Sequence, residues 1–414
     1  MDQPKRIVHF ADCHIGMENY GRLNSETGLN QRVVDFLGSM DKVVGYAIEH
    51  EADLLIFAGD AFRTRRPPPT YQREFAKRIR QLSDAHIPTL LLVGNHDVPV
   101  ITNRASSVDI FETLGVPHIQ VAAKPELLRI ETKHGLMQVA VVPYPVRQRL
   151  LSREEFRSLS QDALDSKVTE MVIAILRDLE GKVDPQFPAV LVGHFSVQNA
   201  KWGSERNIMI GRDVTVPLST LTSPAWDYVA LGHIHQHQDL NPENHPPVVY
   251  AGSLERVDFG EEKQQKGFCW IEVARGKADW RFIPVSARRF QTIRVDVRQQ
   301  MDPLAEIQQA ISEFPIRDAV VRLMINMLPE QEPLLRDADI APALEGAFYT
   351  QINREVDRTI RDRLSGLEPD EMTPQHLLER YLISRGRNED EIAPLMKAAE
   401  RIISEVRDTP DNPS

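Results

Sequence analysis

The sequence predicts an α/β fold: a layered sheet structure flanked by helices, then a smaller α/β module and a helical tail. Three observations carry that expectation. Short apolar runs of strand length alternate with helical patterns over about the first 285 residues. Most of those runs are apolar on both faces, as strands covered on both sides are. Beyond about residue 285 the texture changes twice, first to a short α/β pattern and then to helix alone.

The apolar runs are residues 7–10, 54–58, 89–93, 139–142, 190–192 and 228–231. Helical periodicity covers 30–51, 71–86 and 154–180 between them, the alternation from which α/β folds are built. Shorter strands at 248–251, 267–273 and 280–283 complete the layered sheet. A new unit begins around 284–289, where residues 290–297 alternate like a strand. Asp302-Pro303 then supplies an N-cap and a first-turn proline for a helix to about residue 314. Residues 319–327 and 348–355 read as further strands and 340–344 as a short helix. In the tail, Thr373-Pro374 opens one helix to about residue 385, and Asn388 with Glu391 makes a capping-box-like start to another. The domain boundaries expected are therefore 1–285, 286–365 and 366–414.

Composition narrows the class. A chain of 414 residues suggests two or three folding units. Two cysteines, Cys13 and Cys269, cannot build a disulfide framework and suit a reducing compartment. The amino terminus leads straight into the first strand with no signal-like apolar region, and no run approaches the ~18 apolar residues of a membrane span. A soluble, cytoplasmic protein is expected. Lys and Arg number 49 against 60 Asp and Glu, a formal charge of −11, which argues against a broadly basic nucleic-acid-coating surface. A locally positive cleft that holds metal ions remains open.

Five of the buried strands end in polar clusters that share one chemistry. These are Ala11-Asp12-Cys13-His14, Gly59-Asp60, Gly94-Asn95-His96-Asp97, Gly193-His194 and Gly232-His233-Ile234-His235. Carboxylate, imidazole and amide oxygen are donors that suit Mn²⁺, Fe²⁺ or Zn²⁺, and no thiolate cluster favours a structural zinc. Asp12 and His14, like His233 and His235, are two residues apart, so extended backbone points each pair to one side. Glycine before four of the clusters lets the chain turn off its strand and brings backbone close to a ligand. Each fragment alone is weak: Gly-Asp is commonly a turn, and an isolated Asp-x-His arises by chance. Buried aspartates and histidines without partners are costly, however, and one shared metal site accounts for all five clusters at once.

The ordered set resembles the calcineurin-like metallophosphoesterase superfamily, whose motifs run D-x-H, G-D, G-N-H-[DE], G-H and G-H-x-H. Within it the chain resembles the double-strand-break repair nuclease family typified by the SbcCD exonuclease. That narrower likeness rests on Gly59-Asp60-Ala61-Phe62 with the prolines after it, on Leu231 through His235, on Gly252-Ser253-Leu254-Glu255-Arg256-Val257-Asp258-Phe259-Gly260-Glu261-Glu262, and on Lys266-Gly267-Phe268. It covers about residues 5–285 strongly and the remainder only in layout. The resemblance implies a layered β-sandwich flanked by helices, a small α/β capping domain that contacts DNA, and a C-terminal helical tail. It implies that Asp12, His14, Asp60 and His235 hold one metal, most often Mn²⁺. Asp60, Asn95, His194 and His233 would hold the second, with Asp60 bridging. His96 would contact the phosphate and protonate the leaving oxygen, and Asp97 would orient His96. One position departs from the pattern: three residues after Asp60, where relatives carry a His or Asp that helps place DNA for exonuclease attack, this chain has Arg63. It, Arg65 and Arg66 are candidates to clamp a phosphate instead.

Further substrate contacts are expected from Lys201 and Arg206, in a basic and aromatic stretch that reads equally as loop or nucleic-acid contact, and from His237 and Gln238. Cys13 points away from its neighbours by pleat alternation and reads as a buried filler rather than a reactive thiol. In the tail, Ile392, Leu395, Met396, Ala399, Ile402, Ile403 and Val406 recur at helical steps, and Leu377, Leu378, Tyr381, Leu382 and Ile383 precede them. Such a stripe either packs on its parent or grips a partner's helices. The resemblance implies the latter, with an SbcC-type coiled-coil ATPase, a homodimer within a heterotetramer, and exonuclease action on duplex ends with endonuclease action on single strands. The competing functions are a small-molecule or phosphoprotein phosphoesterase and a non-catalytic adaptor. Seven competent donors argue against a decayed site, and a small-substrate enzyme leaves residues 286–414 without a role.

Overall fold

The computed structural model describes residues 3–98, 104–146, 160–203 and 214–357, and in the tail 378–379, 381–383, 387 and 392–400. The first strands are β1 (Lys5–Phe10), β2 (Leu54–Phe57), β3 (Thr89–Leu92) and β4 (Ile119–Ala122), with helices α1 (Gln31–Glu49), α2 (Pro69–Asp84) and α3 (Ile110–Thr113) between them. A hairpin of β5 (Glu126–Thr132) and β6 (Gly135–Val142) follows, then α4 (Gln161–Glu180), β7 (Ala189–His194), the short pair β8 (Ser196–Val197) and β9 (Thr215–Val216), and β10 (Tyr228–Gly232). Next come β11 (Gln238–Asp239), β12 (Val248–Tyr250), β13 (Gly267–Ala274) and β14 (Lys277–Pro284).

These strands form two six-stranded sheets, ordered β14-β13-β1-β2-β3-β4 and β11-β12-β10-β7-β6-β5. Alternation explains why the strands read as apolar on both faces. Ile7, Leu54, Ile56, Leu90 and Leu92 from the first sheet meet Val139, Val141, Val190, Val192 and Ala230 from the second in one buried cluster. The opposite sides of the first sheet's strands, Val8, Phe10, Leu55, Phe57 and Leu91, pack on Val33, Leu37, Met40, Val44, Phe75 and Ile79 of α1 and α2. Ala189 and Leu191 of the second sheet pack with Leu164, Val168, Val172 and Leu176 of α4. The result is the expected layered sandwich with helices outside.

Local chemistry sets the helix starts. Asn30 caps α1, its side chain accepting from the Arg32 N–H at 2.9 Å, and Pro69 occupies the first position of α2, where its missing N–H is harmless. Ser160 caps α4 ahead of Gln161; the part of the expected helix from 154 to 159 lies, with residues 147–153, outside the described residues. β4 and β5 are additions to the expected strand set. β5 carries Arg129 and Glu131 on its exposed side and begins with the exposed Glu126, an edge-strand pattern too polar to stand out.

What positions the site is strand direction. β1, β2, β3 and β4 run parallel, as do β6, β7, β10 and β12. The five polar clusters follow β1, β2, β3, β7 and β10, so those of each sheet share one end. Hydrogen bonds knit the turns of the first sheet, Asp12 N–H to the Gly59 carbonyl at 3.0 Å and His14 N–H to that of Asp60 at 3.1 Å.

Contacts divide the chain into two compact units: Met1–Ile293, Ala310–Leu323 and Pro342–Ile352 in the first, and Arg294–Gln309, Met324–Ala341 and Asn353–Ser414 in the second. The crossings fall within or beside β15 (Phe290–Asp296), β16 (Val320–Met327) and β17 (Tyr349–Val356), a three-stranded sheet in that order, and α5 (Pro303–Ser312). Asp302 accepts from the Ala305 N–H at 3.0 Å, the cap expected before Pro303. No helix among the described residues is long and apolar enough to cross a membrane.

Candidate metal centre

The sequence-predicted donors converge. Ligand atoms of Asp12, His14 and His235 lie within 4.8 Å of one another, as do those of His14, Asp60 and His96, and those of Asp12, Asp60 and His194. Asn95 joins through its side-chain oxygen, 2.9 Å from His194 Nε2 and 3.0 Å from His233 Nδ1. All seven proposed ligands are buried.

The turns that present them are tightly constrained. Asp12, His14, Asp60 and His233 all have positive φ, between 41° and 95°, a region that non-glycine residues avoid and that concentrates at functional sites. The glycines serve mostly another purpose. Gly59 does take φ +102°, but a Cβ on Gly94 would sit 2.2 Å from Asp60 Oδ1 and one on Gly232 2.2 Å from the Ala58 carbonyl oxygen. At Gly94 and Gly232, then, glycine permits close approach, and the sharp turns fall on the donor residues themselves.

Asp97 is the knot of this arrangement. Its buried carboxylate accepts from the N–H groups of Asp60 at 2.8 Å, Gly94 at 3.0 Å and Ala61 at 3.1 Å, and from Ser107 Oγ at 2.8 Å. Burial first, and then the Asp60 carboxylate, push its carboxyl up to about 6. The hydrogen bonds of Asp97 differ from the expectation that it orients His96. That task falls to backbone: His96 Nδ1 donates to the Arg63 carbonyl at 2.7 Å, and the His96 N–H donates to Asp60 Oδ1 at 2.8 Å.

The donor set fits cations. His194 Nδ1 must donate to the Ala58 carbonyl, 2.6 Å away, so in the neutral ring the Nε2 lone pair faces Asp60 Oδ2 at 3.4 Å. Two electron-rich atoms converge there. Burial opposes charging His194, yet the Asp60 carboxylate overrides it and pushes the ring up to about 9; a proton at Nε2 meets the need a cation would meet. His235 Nδ1 donates to Glu261 Oε1 at 2.8 Å, turning its Nε2 lone pair toward His14 Nε2 at 2.9 Å. His14 Nδ1 is buried with no hydrogen-bond partner, and burial, then His235 and His96, hold that ring well below its ordinary value, hence neutral. Asp60 stays ionised: burial would raise it, but His194 and His96 outweigh that and hold it well below the usual carboxylate range.

Sequence reasoning missed part of the site. Glu261 and Lys266 are buried and paired at 2.7 Å, and Lys266 Nζ also reaches the His235 carbonyl at 3.1 Å and Ser253 Oγ at 2.8 Å. His235 is thus held by ring and by backbone, the outer support metal-binding histidines usually have. The signal was present in the Gly252–Glu262 and Lys266 motif, which carried a family likeness but no stated role. Tyr144 has no motif to mark it, though its ring lies 5.8 Å from that of His233.

The expected substrate contacts are distributed unevenly. Arg63 and Arg66 are exposed, and Arg65 Nε donates to the Asn95 carbonyl at 3.2 Å, at the rim of the cluster. The side chain of Gln238 is occupied with the backbone of Lys201, accepting its N–H at 2.7 Å and donating to its carbonyl at 2.8 Å. His237 stacks on Phe282 with ring centroids 4.0 Å apart, a packing role. Cys13 is buried, as expected. Arg206 lies outside the described residues, as do Leu377, Ile402, Ile403 and Val406. Of the remaining tail positions, Tyr381 and Leu395 are 51% and 44% exposed, and Met396 is half-buried.

Residues 5–237 match the family described as calcineurin-like phosphoesterase. Over 98% of this chain and 83% of the relative, it is 25% identical to the DNA double-strand break repair protein Mre11 of Haloferax volcanii. It is 27% identical to the SbcD component of the nuclease SbcCD of Bacillus subtilis, over 68% of this chain and 70% of that one. A crystal structure of a dimetal phosphatase from Danio rerio aligns with 69% of this chain and 100% of its own, at a TM-score of 0.40 and 11% identity.

Proposed function

The chain belongs to the calcineurin-like phosphoesterase family, and from that premise we propose that it is the nuclease component of a DNA double-strand-break repair complex. The observation that carries the reading is the convergence of Asp12, His14, Asp60, Asn95, His194, His233 and His235 at the ends of parallel strands. The relatives named for break repair and for nuclease activity support DNA as the substrate.

In this reading Asp12, His14, Asp60 and His235 hold one divalent ion and Asp60, Asn95, His194 and His233 the other, Mn²⁺ being the ion of choice. Bound there, such ions would supply Lewis-acid polarisation of the phosphodiester, a lowered pKa for a water and local positive charge despite the acidic chain. The protein's own groups do the rest. With His96 Nδ1 committed to the Arg63 carbonyl, Nε2 is the ring nitrogen that hands a proton to the leaving oxygen. Arg65, anchored on the Asn95 carbonyl, and the exposed Arg63 and Arg66 flank the cleft as phosphate contacts. Residues 286–365 act as a capping domain on DNA, and the tail from 366 docks an SbcC-type ATPase within a heterotetramer.

The test is cleavage by the purified chain with Mn²⁺ of linear duplex DNA, single-stranded DNA and a chromogenic phosphodiester. Cutting of DNA, from ends on duplex and internally on single strands, is the expected outcome. Hydrolysis of the chromogenic diester with no cut in either DNA contradicts the nuclease assignment and points to a small-substrate phosphoesterase.

A further inference from the structure

A cavity of about 840 Å³ opens beside the metal cluster, within the ~300–1,000 Å³ range of ligand clefts. Nothing in the chemistry so far uses it. Its walls include Gln236 and His237, the two residues after His235, and Trp202, whose ring stands edge-on 5.9 Å from that of His233. The lining also carries two cations, Lys263 and Arg322, and one carboxylate, Asp258.

Those charges are not equally committed. Asp258 caps the short turn at Phe259–Glu261, accepting the Gly260 N–H at 2.7 Å. Lys263 is exposed with no acidic partner among the described residues. Arg322 lies over the Phe259 ring at 4.2 Å and gives one terminal N–H to Thr292 Oγ1 at 3.1 Å, while its Nε is buried with no hydrogen-bond partner. Aromatic and cationic side chains lining one cavity match a base and its phosphate, the pairing by which unpaired nucleic acid is held. The cavity also connects to the site. Gln264, which lines it, accepts from Lys266 Nζ at 2.8 Å, and Lys266 holds both Glu261 and the His235 carbonyl.

Resting on the nuclease reading above, we propose that this cavity seats an unpaired nucleotide flanking the scissile phosphate. Trp202 stacks on the base, and Lys263 and Arg322 hold the adjoining phosphate. The site then engages strand that is single or has been opened from a duplex, and a substrate with one phosphodiester and no neighbouring nucleotide gains nothing from it.

The test compares wild type with Trp202→Ala and with Lys263→Gln/Arg322→Gln, each checked for folding by circular dichroism. Two readouts are taken: binding of a fluorescein-labelled single-stranded oligothymidylate, by anisotropy on chelator-treated protein, and hydrolysis of bis(p-nitrophenyl) phosphate with Mn²⁺. Stacking and phosphate contacts of this kind predict roughly tenfold weaker oligonucleotide binding in each variant, with diester turnover unchanged. Should Trp202→Ala not fold, Trp202→Leu and the exposed Lys263→Gln alone carry the comparison, the latter with a smaller loss. Wild-type affinity in the folded variants overturns the cavity assignment and leaves the nuclease reading standing. Wild type that hydrolyses the diester but neither binds nor cuts DNA overturns the nuclease reading itself, and the cavity proposal with it.

Discussion

Asp60 is the residue on which the chemistry turns, because its carboxylate faces His14 at 3.8 Å and His194 at 3.4 Å at once. Asp60→Ala removes the anionic donor common to both proposed ions, and Mn²⁺-dependent cleavage is expected to vanish; retained cleavage in a gel assay argues against a bridging role. His96 is different, half-buried at the rim. His96→Ala is expected to slow turnover by ~10²–10⁴-fold, the range of general-acid assistance, while metal content measured by elemental analysis stays near wild type. Glu261 adds a pH signature. Burial would raise its carboxyl, but Lys266 and then His235 hold it well below its ordinary value of 4.5. A depressed carboxyl stabilises the fold above its unfolded value and withdraws that support as pH falls through the folded one. Thermal melts between pH 7 and pH 3 should therefore show a steeper acid loss in wild type than in Glu261→Gln, and parallel curves would count against the pairing.

Strand ends are the elements that make the site, and they show what the sequence discloses and what it withholds. The runs that became β1, β2, β3, β7 and β10 were legible because both faces are buried, leaving little polar residue to blur the strand signal. The five clusters after them were legible because Asp, His and Asn break so abruptly into that apolar background. Edge strand β5 was not, since half its residues face solvent. Neither was Glu261, which sits 26 residues from the His235 it supports; a hydrogen bond between distant segments leaves no local pattern. The role of Asp97 was misread for a related reason: adjacency to His96 suggested a side-chain pair, whereas folding turns the carboxylate onto the backbone of Gly94, Asp60 and Ala61. The glycines offer a test at this scale. Gly94→Ala puts a Cβ 2.2 Å from Asp60 Oδ1 and 2.5 Å from the Asp60 backbone nitrogen, so the two turns must separate. A cost of ~1–3 kcal/mol is typical of such overpacking. A lowered Tm with weakened Mn²⁺ binding in calorimetry is expected, and unchanged values of both contradict the close approach.

At the scale of the whole molecule, the proposed assembly depends on the tail. Tyr381, Ile383 and Leu395 leave apolar surface exposed, consistent with a face awaiting a partner's helices. Leu395→Glu/Ile402→Glu is expected to abolish co-purification with an SbcC-type ATPase while leaving hydrolysis of a chromogenic phosphodiester intact; complex at wild-type yield removes the tail from the docking role. The catalytic proposals for this chain rest on its strand ends holding two ions. The direct measurement is metal stoichiometry, by elemental analysis of protein reconstituted with Mn²⁺ and freed of excess ion. The account predicts two ions per chain in wild type and loss of both in Asp60→Ala; a single ion per wild-type chain, or none, contradicts it.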